Sequence, residues 1–184
     1  MYSISFLFEY SIEEIYDAYL KRQIPSSNQI SYLIETNKIT NSINDYDKYF
    51  DHMIKKHKIT LSNHNNIISY YEHIHKNNDL PIYVKMWGDT GKTIKKINHI
   101  ENKELDIMTT NVTLDNVFNI FEYIKFTQIN NNRTECVINF DVEINITFTS
   151  FIENYIKKEY AKTNDEFQKS MLSILKQNEI NLNK

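Results

Sequence analysis

Between residues 92 and 148 four strand-like runs follow one another with almost nothing between them, and a long helical stretch comes after. The runs cover 92–101, 104–114, 117–127 and 133–148, with turns at Asn102-Lys103, Asp115-Asn116 and Asn130 to Asn132. Such short connections join antiparallel neighbours, because a parallel return needs a crossover of a dozen or more residues. From Val142 onward the pattern has period two: Val142, Ile144 and Ile146 are apolar, while Glu143 and Asn145 are polar. One face is therefore buried and the other wet. A half-apolar sheet must be covered, and only the C-terminal stretch, about 149–178, is long enough to do so. The expected architecture is α+β: a curved antiparallel sheet wrapped around a long C-terminal helix, in one domain spanning 1–184 with a tail at 179–184. A cavity between sheet and helix suits an apolar ligand held by a few placed polar groups.

The N-terminal half supplies the remaining elements. Residues 2–10, aromatic and β-branched, read as a strand. Ser11, with Glu14 three residues on, is a capping box opening a short helix. In that helix Ile12, Ile15, Tyr16, Tyr19 and Leu20 share one face, and Lys21 and Arg22 suit its C-terminal dipole. Residues 29–41 and 48–61 read as two further strands, with a turn near Asn44-Asp45. Residues 62–78 admit either a hairpin arm or a short helix. In 79–88, Leu80, Tyr83, Val84 and Trp87 form one helical face behind Pro81, and both glycines of the protein, Gly88 and Gly91, flank the following turn. The segment reads as a hinged element; the plainer alternative is an ordinary turn with Trp87 in the core. In the final helix, Phe151, Ile152, Tyr155, Ile156 and Tyr160 make one stripe and Phe167, Met171, Ile174 and Leu175 another. Thr163 to Glu166 carries a second capping-box pattern, which predicts a kink or break.

Composition excludes more than it assigns. A single cysteine, Cys136, leaves no intrachain disulfide and no four-cysteine zinc site. Two glycines cannot build a glycine-rich phosphate loop. A net charge of −3 argues against a basic nucleic-acid binder, so none is expected as a partner. No apolar run reaches the length of a membrane span. The first residues lack the basic start of a secretory signal and the arginines of a transit peptide. Asn, Ile and Lys are abundant, so lone lysines carry little information, and the two arginines, Arg22 and Arg133, carry more. His64, His73 and His75 lack the ordered spacing of a catalytic zinc site, and no metal is expected. Nucleophile motifs are absent, and Glu13 and Glu14, being consecutive, point apart on a helix. An enzyme is not expected.

Several stretches together resemble the PRELI-like family. LPIYVKMW from Leu80 is similar to its Leu-Pro-x-aromatic-Val segment. MTTNVTLDNVFNIFEYIKFTQ (108–128) is similar to its Thr-x-Asn-Leu/Val-Thr pattern and Glu-Tyr strand, matching at Thr109, Thr110, Asn111, Glu122 and Tyr123. FEYSIEEIYDAYLKRQIP places Arg22 at the family's arginine, HMIKK (52–56) resembles an Arg-Leu-Leu-Lys-Lys strand, and FIENYIKKEY resembles the start of the C-terminal helix. His52 stands where the family has arginine, and 58–78 reads as an insertion. The resemblance implies a START-like helix-grip fold with a lid segment. It implies carriage of phospholipid, phosphatidic acid or phosphatidylserine, across the mitochondrial intermembrane space without a transit peptide. It also implies a heterodimer with a small helical-hairpin protein bearing twin cysteine motifs. No cofactor is expected beyond the phospholipid cargo.

Two requirements follow for such a carrier. The acyl chains need apolar contact worth about 0.8 kcal/mol per CH₂, and the anionic head must be paired. Candidates for the head group are Arg22, Lys56, Lys157 and Lys158, with His52 as a pH-dependent helper. Arginine suits phosphate because its fork donates in pairs. The plain alternatives are a helix-end role for Arg22, solvated surface lysines and an ordinary strand histidine. Leu80, Pro81, Tyr83, Val84, Trp87, Gly88 and Gly91 form the candidate lid and transient membrane contact. Thr110, Asn111, Glu122 and Tyr123 are candidate structural positions. The alternative function is a binding or assembly module on the same fold that holds a ligand without shuttling it.

Overall fold

The structure is a computed structural model, and it describes residues 2–24, 33–39, 43–59, 68–76, 90–113, 118–144 and 149–182. The element order is β1 (Tyr2–Phe8), α1 (Ile12–Arg22), β2 (Leu33–Ile39), α2 (Ile43–His57), β3 (Ile68–Lys76), β4 (Thr90–Glu101), β5 (Glu104–Asn111), β6 (Phe118–Asn130), β7 (Arg133–Ile144) and α3 (Thr149–Leu182). The strands form one antiparallel sheet in the order β1-β7-β6-β5-β4-β3-β2. This is the expected meander, closed by β1 returning to pair with β7.

Local chemistry accounts for most boundaries. The capping box forms: the Glu14 amide donates to Ser11 Oγ at 3.3 Å, and Glu14 Oε2 accepts from the Ser11 amide at 2.8 Å. Such a cap contributes about 1 kcal/mol. Between β4 and β5, Asn102 and Lys103 both have positive φ, 50° and 65°, the paired left-handed geometry whose twist matches a two-residue hairpin.

Two expectations are corrected and one open alternative is decided. Residues 48–61 are not a strand and Asn44-Asp45 is not a turn; both lie largely or wholly in α2. Phe50, Met53, Ile54 and His57 fall at helical spacing, and the helix ends where Lys58 takes φ 52° and the Ile59 amide donates to the Ile54 carbonyl. Within 62–78, where the sequence admits either a hairpin arm or a short helix, Ile68–Lys76 is a strand hydrogen-bonded on both sides. The final helix does not break at 163–166. Its spacing explains this: 164, 167, 171 and 174 form a single buried face, and Asn164, inside the supposed break, already lies on it. The segment 79–88 lies outside the described residues, as do Asp115 and Asn116.

The sheet separates two apolar layers. On the inner face α1 and the C-terminal half of α3 pack over Ile97, Leu105, Ile107, Ile124, Phe126, Cys136 and Ile138. On the outer face α2 lays Phe50 and Met53 against Tyr70, Ile94, Met108, Phe121 and Tyr123. Each such burial contributes roughly 1.5–3 kcal/mol. β7 alternates in burial along its length, as its period-two pattern predicts, whereas β5, covered on both sides, is buried at six of its eight positions because α2 occupies its other face.

Candidate functional site on the inner face of the sheet

The buried stripe of α1 runs through Ile12, Ile15, Ala18 and Tyr19, and its last member is Arg22. A cation therefore occupies a core position at the end of an apolar row, 7% exposed. Its Nε donates to Ser170 Oγ at 2.7 Å, and the guanidinium carbon sits 4.8 Å from the centre of the Phe167 ring, both on α3. The Ser170 hydroxyl passes its hydrogen to the Phe167 carbonyl at 3.0 Å. Gln23 follows as the helix cap and is equally buried.

Opposite this helix end lies β4. Strand alternation aims Thr93, Lys95 and Ile97 inward and Ile94 and Lys96 outward. Lys95 is 8% exposed; its Nζ donates to Gln23 Oε1 at 3.0 Å and sits 5.1 Å from the centre of the Tyr19 ring. Burial pushes this amine down to about 8, the charge of Glu122 works against that, and Arg22 adds to it. Glu122 faces inward from β6 and accepts from Thr109 Oγ1, its register partner on β5, at 3.2 Å. Across β2 and β3, Thr36 Oγ1 donates to the Gln23 carbonyl at 2.9 Å and lies 3.2 Å from His73 Nδ1. The hydroxyl has one hydrogen and gives it to the carbonyl, so Nδ1 of His73 carries the proton in this pair.

Two buried cations thus meet at the end of α1, and their hydrogen-bond partners among the described residues are neutral. Buried charges are ordinarily paired. The apolar half of the same face, from Ile97 and Ile107 to Phe126, adjoins them. Donors and positive charge at the end of this packed apolar layer can hold an anionic group. A second polar chain, Tyr16 Oη to His99 Nδ1 at 2.7 Å and His99 Nε2 to Ser69 Oγ at 2.9 Å, ties α1 to β3 and β4.

The candidates of the sequence reading fall in different places. Arg22 and Glu122 reach the inner face. Lys56 and His52 do not join them: they sit on α2, across the sheet. Lys56 pairs with Asp141, at 3.3 Å, and with Glu143, and these carboxylates outweigh burial to hold its pKa above the usual lysine range. His52 is exposed, 4.0 Å from Glu143. Lys158 is exposed on α3, and the side chain of Lys157 lies outside the described residues, as do Leu80, Pro81, Tyr83, Val84, Trp87 and Gly88. Gly91 belongs to β4, opposite His75. Thr110 is buried on the outer face.

Asn111 is a buckle for the β5–β6 connection. Its Nδ2 donates to the carbonyls of Thr113 and Phe118, each at 2.9 Å, and its Oδ1 accepts the Ile120 amide at 2.6 Å. Tyr123 points outward and donates to Asp106 at 2.7 Å; burial and that carboxylate push its pKa well above the ordinary phenol value. Gln23, Lys95 and Tyr19 went unnoticed as site residues. Tyr19 was legible as core, while Lys95 was hidden among many lysines in a run whose two faces are both covered.

Among the described residues no group of three or more His, Cys, Asp or Glu is placed to hold a metal, and no helix is long and apolar enough to cross a membrane. No family model matches the chain, and no curated protein matches it by sequence. Solved structures do match in shape. The crystal structure of Ara h 8.0201 is similar at TM-score 0.53 and 8% identity, covering 95% of this chain and 97% of that one. Norcoclaurine synthase from Thalictrum flavum, in complex with dopamine and hydroxybenzaldehyde, is similar at TM-score 0.50 and 11% identity, covering 94% of this chain and 86% of that one. At such identities the likeness concerns the fold, and with the topology above it establishes the START-like helix-grip architecture: a seven-stranded curved antiparallel sheet closed by a long C-terminal helix.

Proposed function

We propose that this chain is a non-enzymatic carrier of an amphiphilic ligand, and that the ligand is an anionic phospholipid moved between membranes. The observation that carries the reading is the position of Arg22: a buried guanidinium at the end of the apolar inner face, held by a hydroxyl and an aromatic ring. A guanidinium in that setting favours a phosphate, which its fork binds through paired hydrogen bonds. The resemblance to PRELI-like proteins at Arg22, Thr110, Asn111, Glu122 and Tyr123 supports the finer proposal: phosphatidic acid as first cargo and phosphatidylserine as second, in the mitochondrial intermembrane space. It also supports a small twin-cysteine helical-hairpin protein as heterodimer partner, and transient membrane contact through residues 80–91.

The test is transfer of fluorescent phosphatidic acid between vesicles, with and without a twin-cysteine partner. Wild-type protein should move the lipid, and Arg22→Glu should lose at least tenfold in rate with its circular dichroism unchanged. Extraction without delivery would replace transfer by the holding module. Unimpaired transfer by the variant would remove Arg22 from the site.

A further inference from the structure

Gln23 has an amide with one end engaged and the other idle. The Lys95 ammonium can only donate, so the Gln23 atom 3.0 Å from it is the carbonyl oxygen, and the orientation of the amide is settled by chemistry. Its Nε2 is then a buried donor on a side chain 93% removed from solvent, and among the described residues it has no hydrogen-bond partner. Leaving such a donor unsatisfied in the interior is unfavourable, because it has lost its water and gained nothing in return. Beside it lie Lys95 and, one residue back, Arg22, each also bonded only to neutral groups among the described residues. Among the described residues, donors and positive charge outnumber the acceptors that meet them. Glu122 supplies one negative charge against two positive ones, and the Thr109 hydroxyl already bonds to it.

We propose that Gln23 and Lys95, backed by Arg22, form a seat for one oxyanion, a phosphate or carboxylate group, with the Gln23 amide as the hydrogen-bond donor that orients it. The inference rests on the reading of the inner face as a ligand site and deepens it: it names the residues that recognise the polar end of the ligand. Lys95 has two tasks, charge for the anion and a hydrogen bond that turns the amide NH₂ away from itself.

The experiment substitutes the missing charge. Gln23→Glu places a carboxylate where Oε1 now meets Lys95, filling the seat from within. Gln23→Met removes the donor without adding charge and serves if the first variant folds poorly. Binding of dihexanoyl phosphatidic acid, hexanoate and inorganic phosphate is measured by calorimetry, together with the melting temperature with and without each. Wild type should bind the phosphatidic acid at least tenfold more tightly than either variant, and Gln23→Glu should melt higher than wild type and no longer respond to the ligand. Binding by both variants within twofold of wild type overturns the seat. Tight binding of hexanoate and phosphatidic acid over inorganic phosphate identifies an amphiphile's head as the source of the oxyanion. If inorganic phosphate alone raises the wild-type melting temperature, and not that of Gln23→Glu, the seat stands and the carrier reading falls. If wild type carries uncharged diacylglycerol as well as phosphatidic acid, the seat falls and the carrier stands.

Discussion

Lys95→Met should stabilise the ligand-free protein. At neutral pH the amine is charged inside the sheet, and its displacement from 10.5 to about 8 corresponds to about 3 kcal/mol held against the folded state. Methionine has nearly the same length and no charge. It also forfeits the hydrogen bond to Gln23, worth about 1 kcal/mol, leaving a net gain of about 2 kcal/mol. For a chain of this size that raises the melting temperature by roughly 4–8 °C. The pH dependence has a definite sign. Below about 8 both folded and unfolded lysine are protonated and the full penalty acts. As pH rises from about 8 to 10.5 the folded amine releases its proton first, the unfolded chain binds more protons, and wild-type stability climbs. Urea unfolding of wild type and variant at pH 7 and pH 10.5 reads both effects, and the difference between the proteins cancels groups they share. A variant less stable than wild type at pH 7 would refute the reasoning, as would a gap that does not narrow at high pH.

Two further outcomes follow from the geometry. Asn111→Ala breaks three hydrogen bonds of a buried buckle, at about 1 kcal/mol each, so stability should fall by about 3 kcal/mol in urea unfolding; a loss below 1 kcal/mol would mean that the β5–β6 connection closes without it. For Asp47 on α2, burial raises the pKa but is outweighed by hydrogen bonds from Lys96 and Tyr70, at 2.7 and 2.5 Å, which hold it below the usual value. Its contribution is present above the unfolded value of 3.8 and is lost as pH falls through the lower folded one. Wild type should therefore lose its advantage over Asp47→Asn as pH is taken progressively below 3.8 in thermal melts; a constant gap would dismiss the pair.

How much of this was readable in the sequence depended on whether a signal was local. The Ser11–Glu14 cap and the short turn at Asn102-Lys103 act within a few residues, and the strands around them formed as expected. α2 is the element least legible in the sequence: Phe50, Met53, Ile54 and His57 stand at helical spacing, but the lysines and histidines between them blur the period. The expected break at Thr163–Glu166 failed because a capping pattern cannot end a helix whose buried face continues through it. The site was the least readable part. Arg22 stood out because arginine is scarce here, whereas Lys95 and Gln23 acquire meaning only when the end of α1 meets the middle of β4, seventy-two residues apart.

Cys136 has a practical use. It lies on β7 with 0% exposure, beside its register partner Phe6 and within the core cluster that α1 joins, and burial pushes its thiol well above the ordinary value. The folded protein should therefore stay silent toward thiol reagents, and the rate of modification by an aromatic disulfide dye becomes a stopwatch for global opening. A cysteine engineered at an exposed position would react alone, so a fluorophore can be attached there without first removing the native sulfur.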